Sequence, residues 1–290
     1  MNQYGVQKQT LLLTGTTRGV NLERNCLDKG FIRLVDKMGD DSSIVQAARV
    51  SYGQGAKTPE EDRNLIRYLM RNKHTSPFEM VEFKFHVKAP IFVFRQWQRH
   101  RAASINECSL RYTEAKDEYY VPEINQICYQ SKDNKQGRAM PLDDEEASFF
   151  KTQFQLESNV AFDRYNIKLN RGMAKELARI NLPLSTYSEM YWKMDLHNLF
   201  HFLKLRLHPY AQYEIRVYAQ AILDIIKPIV PISCEAFEDY ILNAQNLSGQ
   251  EVKVLNELFK DPFIAEMLTT LIEQSELGTR EKKELKNKLI

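Results

Sequence analysis

Between Gln96 and Tyr112 the chain gathers Arg99, His100, Arg101 and Arg111 around a single acid, Glu107. Gln96, Arg99 and His100 stand at i, i+3 and i+4, so a helix there would show all three on one face. The next stretch, Ser104 to Ser109, is small and polar and reads as a loop able to wrap an anion. A guanidinium presents a planar fork of donors that matches phosphate oxygens in pairs. Serine hydroxyls and free backbone N–H groups complete such a cradle. On residue chemistry alone this is a phosphate-binding device with one carboxylate inside it. A solvated basic helix end followed by a loop is the other reading, because surface charge by itself decides little. Arg179 and Arg206 come from separate segments, and their convergence with Arg99, Arg101 and Arg111 would make a strongly cationic pocket.

Other candidate groups carry less. His197 and His201 have the i, i+4 spacing of metal ligands, but no Glu follows His197 and no third ligand is evident, so no metal site is expected. Cys26, Cys108, Cys128 and Cys234 are spread out with no C-x-x-C pair, which argues against a zinc ribbon or disulfide framework and suits a reducing compartment. His86 reads as a surface strand residue. Phe92, Phe94, Trp97, Tyr187 and Trp192 read as core.

The elements that must position these groups follow from pattern. Gly30 to Val35 alternates like a short strand, and Ser42 to Tyr52 reads as a short helix ending near Gly53 and Gly55. Thr58, Pro59 and Glu61 open a second helix with a capping box and a proline at its first position. Leu65, Ile66, Leu69 and Met70 are its buried stripe, and His74 to Pro77 is a turn. Val81, Phe83, Phe85 and Val87 alternate with Glu82, Lys84 and His86, the pattern of a half-buried antiparallel strand. Pro90 starts the helix expected to carry Arg99 and His100. Residues 113–141 form a long irregular connection. A long helix then runs from a cap at Asp143–Glu146 to about Asn170, with Phe150, Phe154, Ala161 and Tyr165 inward. A shorter helix starts at Met173, Leu184–Trp192 is a strand, Asp195 caps the helix of His197, His201 and Arg206, and Tyr210–Lys227 is the last core helix.

The 290 residues carry 27% charged side chains and a net charge of +2, so bulk charge does not make the molecule a polyanion binder. Leu11–Leu13 is too short for a signal h-region. No run approaches the roughly 18 apolar residues that span a bilayer. A soluble, cytoplasmic protein without nucleic-acid or membrane partners is expected. The expected architecture is α+β, a small antiparallel sheet covered by helices. It divides into an arm over 1–25, a catalytic domain over 26–232 and a helical C-terminal extension over 233–290.

The pattern R-H-R, seven residues, then Ser, met by Arg99, His100, Arg101 and Ser109, resembles the signature of the flavin-dependent thymidylate synthases. The stretches A-A-R-V-S (47–51), H-T-S-P-F-E (74–79), F-H-V-K-A-P-I-F-V (85–93), A-R-I-N-L-P (178–183) and L-R-L-H-P-Y-A-Q-Y-E-I (205–215) resemble that family in the same order. The resemblance covers about residues 26 to 230. It implies reductive methylation of dUMP to dTMP, with methylenetetrahydrofolate as carbon donor, FAD as flavin and NADPH as its reductant. It further implies a homotetramer with active sites between subunits. On it, Gln96, Arg99, Glu107, Ser109, Arg111, Arg179 and Arg206 hold the nucleotide, helped by the backbone of Cys108 and Leu110. Arg206 is the catalytic residue, favouring ionisation at uracil N3 as a fixed cation. Ser76, Arg99, His100, Arg101, Glu107, Asp195, His197 and His201 match flavin positions. Some relatives carry Asn at the positions of Asp195 and His201, and Arg at that of His197. His74 matches a histidine near flavin and folate. Outside the resemblance, a nucleic-acid-binding module using the arginine cluster and a helical metalloenzyme using His197 and His201 stay open.

Overall fold

Alternation of apolar and polar residues along nine-residue strands sets the centre of the molecule. The computed structural model describes residues 22–50 and 58–289. Strands β1 (Glu23–Cys26), β2 (Gly30–Met38), β3 (Glu82–Pro90), β4 (Ser104–Glu107) and β7 (Tyr187–Asp195) form an antiparallel sheet in the order β1-β2-β3-β7-β4. β3 and β7 pair from Glu82↔Asp195 to Pro90↔Tyr187. That register puts Phe83, Phe85 and Val87 on the same face as Met190, Trp192 and Met194, all buried. Gly30 stands where Tyr218 donates its hydroxyl to the Lys88 carbonyl at 2.7 Å, and an added Cβ there would collide with that hydroxyl. Only glycine leaves room for this cross-sheet bond.

Helices α1 (Asp41–Ala48), α2 (Pro59–Arg71), α3 (Ile91–Trp97), α6 (Leu196–Arg206), α7 (Tyr213–Ile226) and α8 (Pro231–Phe237) contribute to one core with the sheet's apolar face. In α2 the expected capping box forms, Thr58 and Glu61 each accepting from the other's backbone N–H at 3.2 and 2.8 Å. Such a cap contributes about 1 kcal/mol. α1 starts one residue before the expected Ser42 because Asp40 caps it, and it ends at Ala48 with Arg49 as its C-cap, short of the expected end at Tyr52; Gly53 and Gly55 lie outside the described residues. So do residues 1–21 of the expected arm. The chain divides into two compact units, Met1–Leu242 and Asn243–Ile290. The second contains α9 (Gly249–Leu258), α10 (Pro262–Gln274) and α11 (Thr279–Leu289). Among the described residues no helix is long and apolar enough to cross a membrane.

The α+β expectation holds, and several local expectations are corrected. The stretch 113–141 is not wholly irregular, since it holds a small hairpin of β5 (Cys128–Gln130) and β6 (Arg138–Pro141). The long helix α4 (Asp144–Asn170) exists, but Phe150 and Phe154 are 39% and 44% exposed. Tyr165 is buried as expected, and the inward line runs with it through Ala147, Ser158 and Phe162, because α4 packs at its C-terminal end on α5 (Lys175–Ala178) around Phe162, Tyr165 and Ala178.

Candidate active site

Pro90 ends β3 with φ −61° and leads straight into α3, which buries Val93, Phe94 and Trp97 and then stops. The expected helical face shared by Gln96, Arg99 and His100 is therefore not formed beyond Trp97. The cause is that indole. Trp97 is fully buried, edge-on to Trp192 at 5.1 Å and Tyr218 at 5.7 Å, and the His100 amide bonds its carbonyl at 3.0 Å to close a turn. The turn sets Arg99 and Arg101 outward and His100 inward.

His100 sits against Phe202, with ring centroids 4.9 Å apart, and 5.9 Å from the His201 ring. Its Nε2 accepts from Arg206 Nε at 3.0 Å, which places the imidazole proton on Nδ1. Burial, followed by the charges of Arg206 and His201, pulls the His100 imidazole down to about 4. Arg206 Nη2 donates to the Gln96 carbonyl at 3.2 Å, and burial draws the guanidinium below its ordinary value. Around this pair lies a cleft of about 300 Å3 whose lining includes Arg99, Arg101, Asn198 and His201 on the polar side and Met194 and Leu205 on the apolar. That size is at the lower end for small-ligand sites.

Asp195 ends β7 and caps α6, accepting from the Asn198 amide at 2.9 Å and from its side chain at 2.7 Å. His201 and Asn198 reach the cleft from α6, whereas His197 is not among its lining residues. Asn198 went unread in the sequence, although its spacing of three from His201 is a usable signal. The turn of Ser76 leads into a short 3-10 turn, Phe78–Met80, that packs on α6 and β7. Among the described residues no group of three or more His, Cys, Asp or Glu is placed to hold a metal ion.

Ser104–Glu107 is a strand, not the anion-wrapping loop read from its composition, because the free edge of β7 offers it a ladder from Lys193 to Met190. The tight turn comes just after it. There the Arg111 amide bonds Ser109 Oγ at 3.3 Å, and the Ser109 carbonyl accepts the amides of Tyr112 and Thr113. Arg111 reaches Glu176 at 3.0 Å, on α5, which runs directly into Arg179. Glu107 accepts from Ser188 Oγ at 2.9 Å and Gln98 Nε2 at 3.3 Å, so its partners are neutral donors. Among the described residues no carboxylate pairs with Arg99, Arg101, Arg179 or Arg206. The site residues thus fall into two neighbourhoods. One is the cleft of Arg99, His100, Arg101, His201 and Arg206; the other is the turn of Cys108 to Arg111, joined by Arg111–Glu176 to the α5 helix that leads into Arg179.

Cys26 and Cys234 are buried, and burial pushes the Cys26 thiol up to about 12 and raises that of Cys234 as well. Cys108 is exposed, with Sγ 3.5 Å from Thr113 Oγ1.

Fold and site together define an α+β protein with a small antiparallel sheet and an arginine-lined cleft where α6 meets the turn after α3. Residues 33–232 match the family model described as thymidylate synthase complementing protein. A flavin-dependent thymidylate synthase of Thermus thermophilus is 56% identical over 245 residues, 84% of this chain and 89% of that protein. One from Ehrlichia ruminantium strain Gardel is 48% identical over 263 residues, 91% of this chain and 86% of that protein. The crystal structure of a UMP/dUMP methylase, PolB from Streptomyces cacaoi, bound with 5-Br UMP, superposes with a TM-score of 0.69 at 34% identity, covering 75% of this chain and 97% of that one. The chain belongs to the flavin-dependent thymidylate synthase family.

Proposed function

We propose that this enzyme converts dUMP to dTMP by reductive methylation, taking the carbon from methylenetetrahydrofolate and the reducing equivalents from NADPH through FAD. The observation that carries the reading is the state of Arg206. It is held by His100 and the Gln96 carbonyl, has no carboxylate partner among the described residues, and opens onto a cleft with Arg99 and Arg101. A cation so fixed, and partly withdrawn from water, stabilises negative charge developing on a uracil ring.

The donor set fits a flavin dinucleotide. Arg99 and Arg101 suit pyrophosphate oxygens, Asn198 and His201 offer neutral polar atoms, and Met194 and Leu205 supply apolar surface. When bound, reduced flavin supplies the hydride that completes the methyl group. The remaining work belongs to the chain. Ser109, Arg111 and Arg179, with the backbone of Cys108 and Leu110, hold the nucleotide phosphate. Gln96, Glu107 and Arg206 orient its base and sugar, while Ser76, His100, Glu107, Asp195, His197 and His201 contribute to the flavin side. The buried, proton-holding Cys26 and Cys234 are poor nucleophiles, which supports a route without enzyme-thiolate attack.

A cleft of about 300 Å3 takes only part of such ligands. The exposed apolar surface of α4, with Phe149 at 58% and Leu156 at 52%, supports completion by neighbouring chains in a homotetramer. Within this reading residues 26–232 form the catalytic domain, preceded by an arm and followed by a helical extension over 233–290 whose first residues lie in α8. The protein works in the cytoplasm without nucleic acid or membrane. The test is direct: purified protein should be yellow and should form dTMP from dUMP only with both NADPH and methylenetetrahydrofolate. Flavin-loaded protein that forms no dTMP under those conditions would refute the proposal.

A further inference from the structure

Behind the candidate nucleotide site lies a carboxylate that contacts no proposed ligand position. Glu214, on α7, is 1% exposed and accepts three hydrogen bonds. Its Oε1 takes Tyr120 Oη at 3.1 Å and Arg138 Nη2 at 2.5 Å; its Oε2 takes Gln212 Nε2 at 2.8 Å. Gln212 in turn accepts, through Oε1, from Gln96 Nε2. The Gln96 backbone carbonyl holds Arg206.

An amide looks nearly the same from both ends, so its direction is decided by its partners. A carboxylate paired to a guanidinium only accepts. Gln212 must therefore turn its NH2 toward Glu214 and its oxygen toward Gln96. Gln96 must then turn its own NH2 toward Gln212. Two amides in series pass the carboxylate's preference outward, and the atom left at the end is the Gln96 side-chain oxygen.

We propose that Glu214 is a positioning residue for nucleotide specificity, acting through Gln212 to make Gln96 present its carbonyl oxygen to a hydrogen-bond donor on the nucleotide. That donor is either a ring N–H or a sugar hydroxyl. The inference rests on the nucleotide reading of the site proposed above. It also gives the β5–β6 hairpin a part, since Arg138 on β6 donates to Glu214 Oε1 and fixes the carboxylate's orientation toward Gln212. Replacing the carboxylate by an amide removes the directionality at nearly constant shape. An amide at 214 can donate to Gln212 as readily as accept from it.

The experiment uses the full-length, flavin-loaded protein and dUMP. Glu214→Gln should weaken dUMP binding about 3- to 10-fold, the range for one neutral hydrogen bond, while flavin affinity changes less than 2-fold. Gln212→Leu leaves Glu214 bonded to Tyr120 and Arg138 and guards against loss of folding in the first variant; it should produce the same loss. In a Gln96→Ala background neither change should weaken dUMP further, a non-additivity that general loosening of the fold would not give. Titration with N3-methyl-dUMP and with 2′,3′-dideoxyuridine monophosphate identifies the donor, as the analogue lacking it should bind the parent and Glu214→Gln equally. Folded Glu214→Gln and Gln212→Leu proteins with dUMP affinity within 2-fold of the parent would overturn the inference, as would full additivity with Gln96→Ala. A parent chain that holds flavin yet does not bind dUMP would instead overturn the proposed function, and this inference with it.

Discussion

His100 offers a test in which the structure dictates sign, size and pH. Its imidazole is neutral in the folded protein because burial and the neighbouring Arg206 and His201 charges hold it at about 4, against 6.5 for the free group. A depressed histidine leaves stability intact above pH 6.5, where both states are neutral. As the pH falls toward 4 the unfolded chain takes up a proton that the folded chain refuses, and stability drains away. With these two values the loss between pH 7 and pH 5 is about 2 kcal/mol, approaching a limit of about 3 kcal/mol below pH 4. His100→Gln keeps an acceptor for Arg206 and removes the titration. Urea unfolding of the full chain, freed of small ligands, should be followed at pH 7 and pH 5 for both proteins. Carboxylates and other histidines titrate in both, so the difference of the two pH effects isolates residue 100. The parent should lose about 2 kcal/mol more than the variant across that interval. Equal losses to within about 0.5 kcal/mol, a typical limit of additivity, would refute the buried, neutral His100 acceptor.

Three other outcomes follow from the site. Arg206→Ala should retain flavin and lose about 3–4 kcal/mol of transition-state stabilisation, roughly a hundred- to thousandfold in turnover, measured as NADPH-dependent dTMP formation; turnover within tenfold of the parent would contradict the role. Arg99→Ala should weaken both flavin and dUMP, whereas Arg179→Ala should weaken chiefly dUMP; paired titrations showing equal loss of flavin affinity in the two variants would contradict that division of roles. Replacing Cys26, Cys108, Cys128 and Cys234 by Ala or Ser should keep turnover within about tenfold, the change reflecting lost packing at Cys26 and Cys234, and a folded Cys108→Ala protein that binds both ligands without methyl transfer would restore a thiolate route.

Where the sequence carries a strong local period, it could be read. The strand of Phe83, Phe85 and Val87 and the capped helix from Thr58 lie where expected, since alternation and a capping box depend on neighbours a few residues apart. Four of the five arginines lack a carboxylate partner among the described residues, which local spacing could not reveal. What escaped was decided by distant contacts. The helix of the R-H-R segment stops at Trp97 because Trp192 and Tyr218, far along the chain, fix that indole. Ser104–Glu107 is polar enough to be a loop and becomes a strand only because β7 leaves an edge beside it. In α4, Phe150 and Phe154 look like core by type, yet the turn of the helix is set by Phe162 and Tyr165 against α5. Glu214 and Gln212 lay inside a recognised block with no feature marking them, since a buried carboxylate is legible only once its donors are known.

The pairing of β3 with β7 also governs when the site comes into being. The ladder from Glu82↔Asp195 to Pro90↔Tyr187 joins segments separated by about 100 residues. Closing a loop of that length has an entropic cost of roughly 4 kcal/mol before a single strand bond is gained. Everything between the two strands, including the R-H-R turn, the hairpin and α4, belongs to that loop. Arg206 follows β7 directly, so it meets His100 and Gln96 only after the closure. Non-local pairing of this kind is slow to form. Arg206 is thus separated from Arg99 and Arg101 until the β3–β7 ladder closes, and the three cations of the cleft are brought together by the same event that completes the sheet.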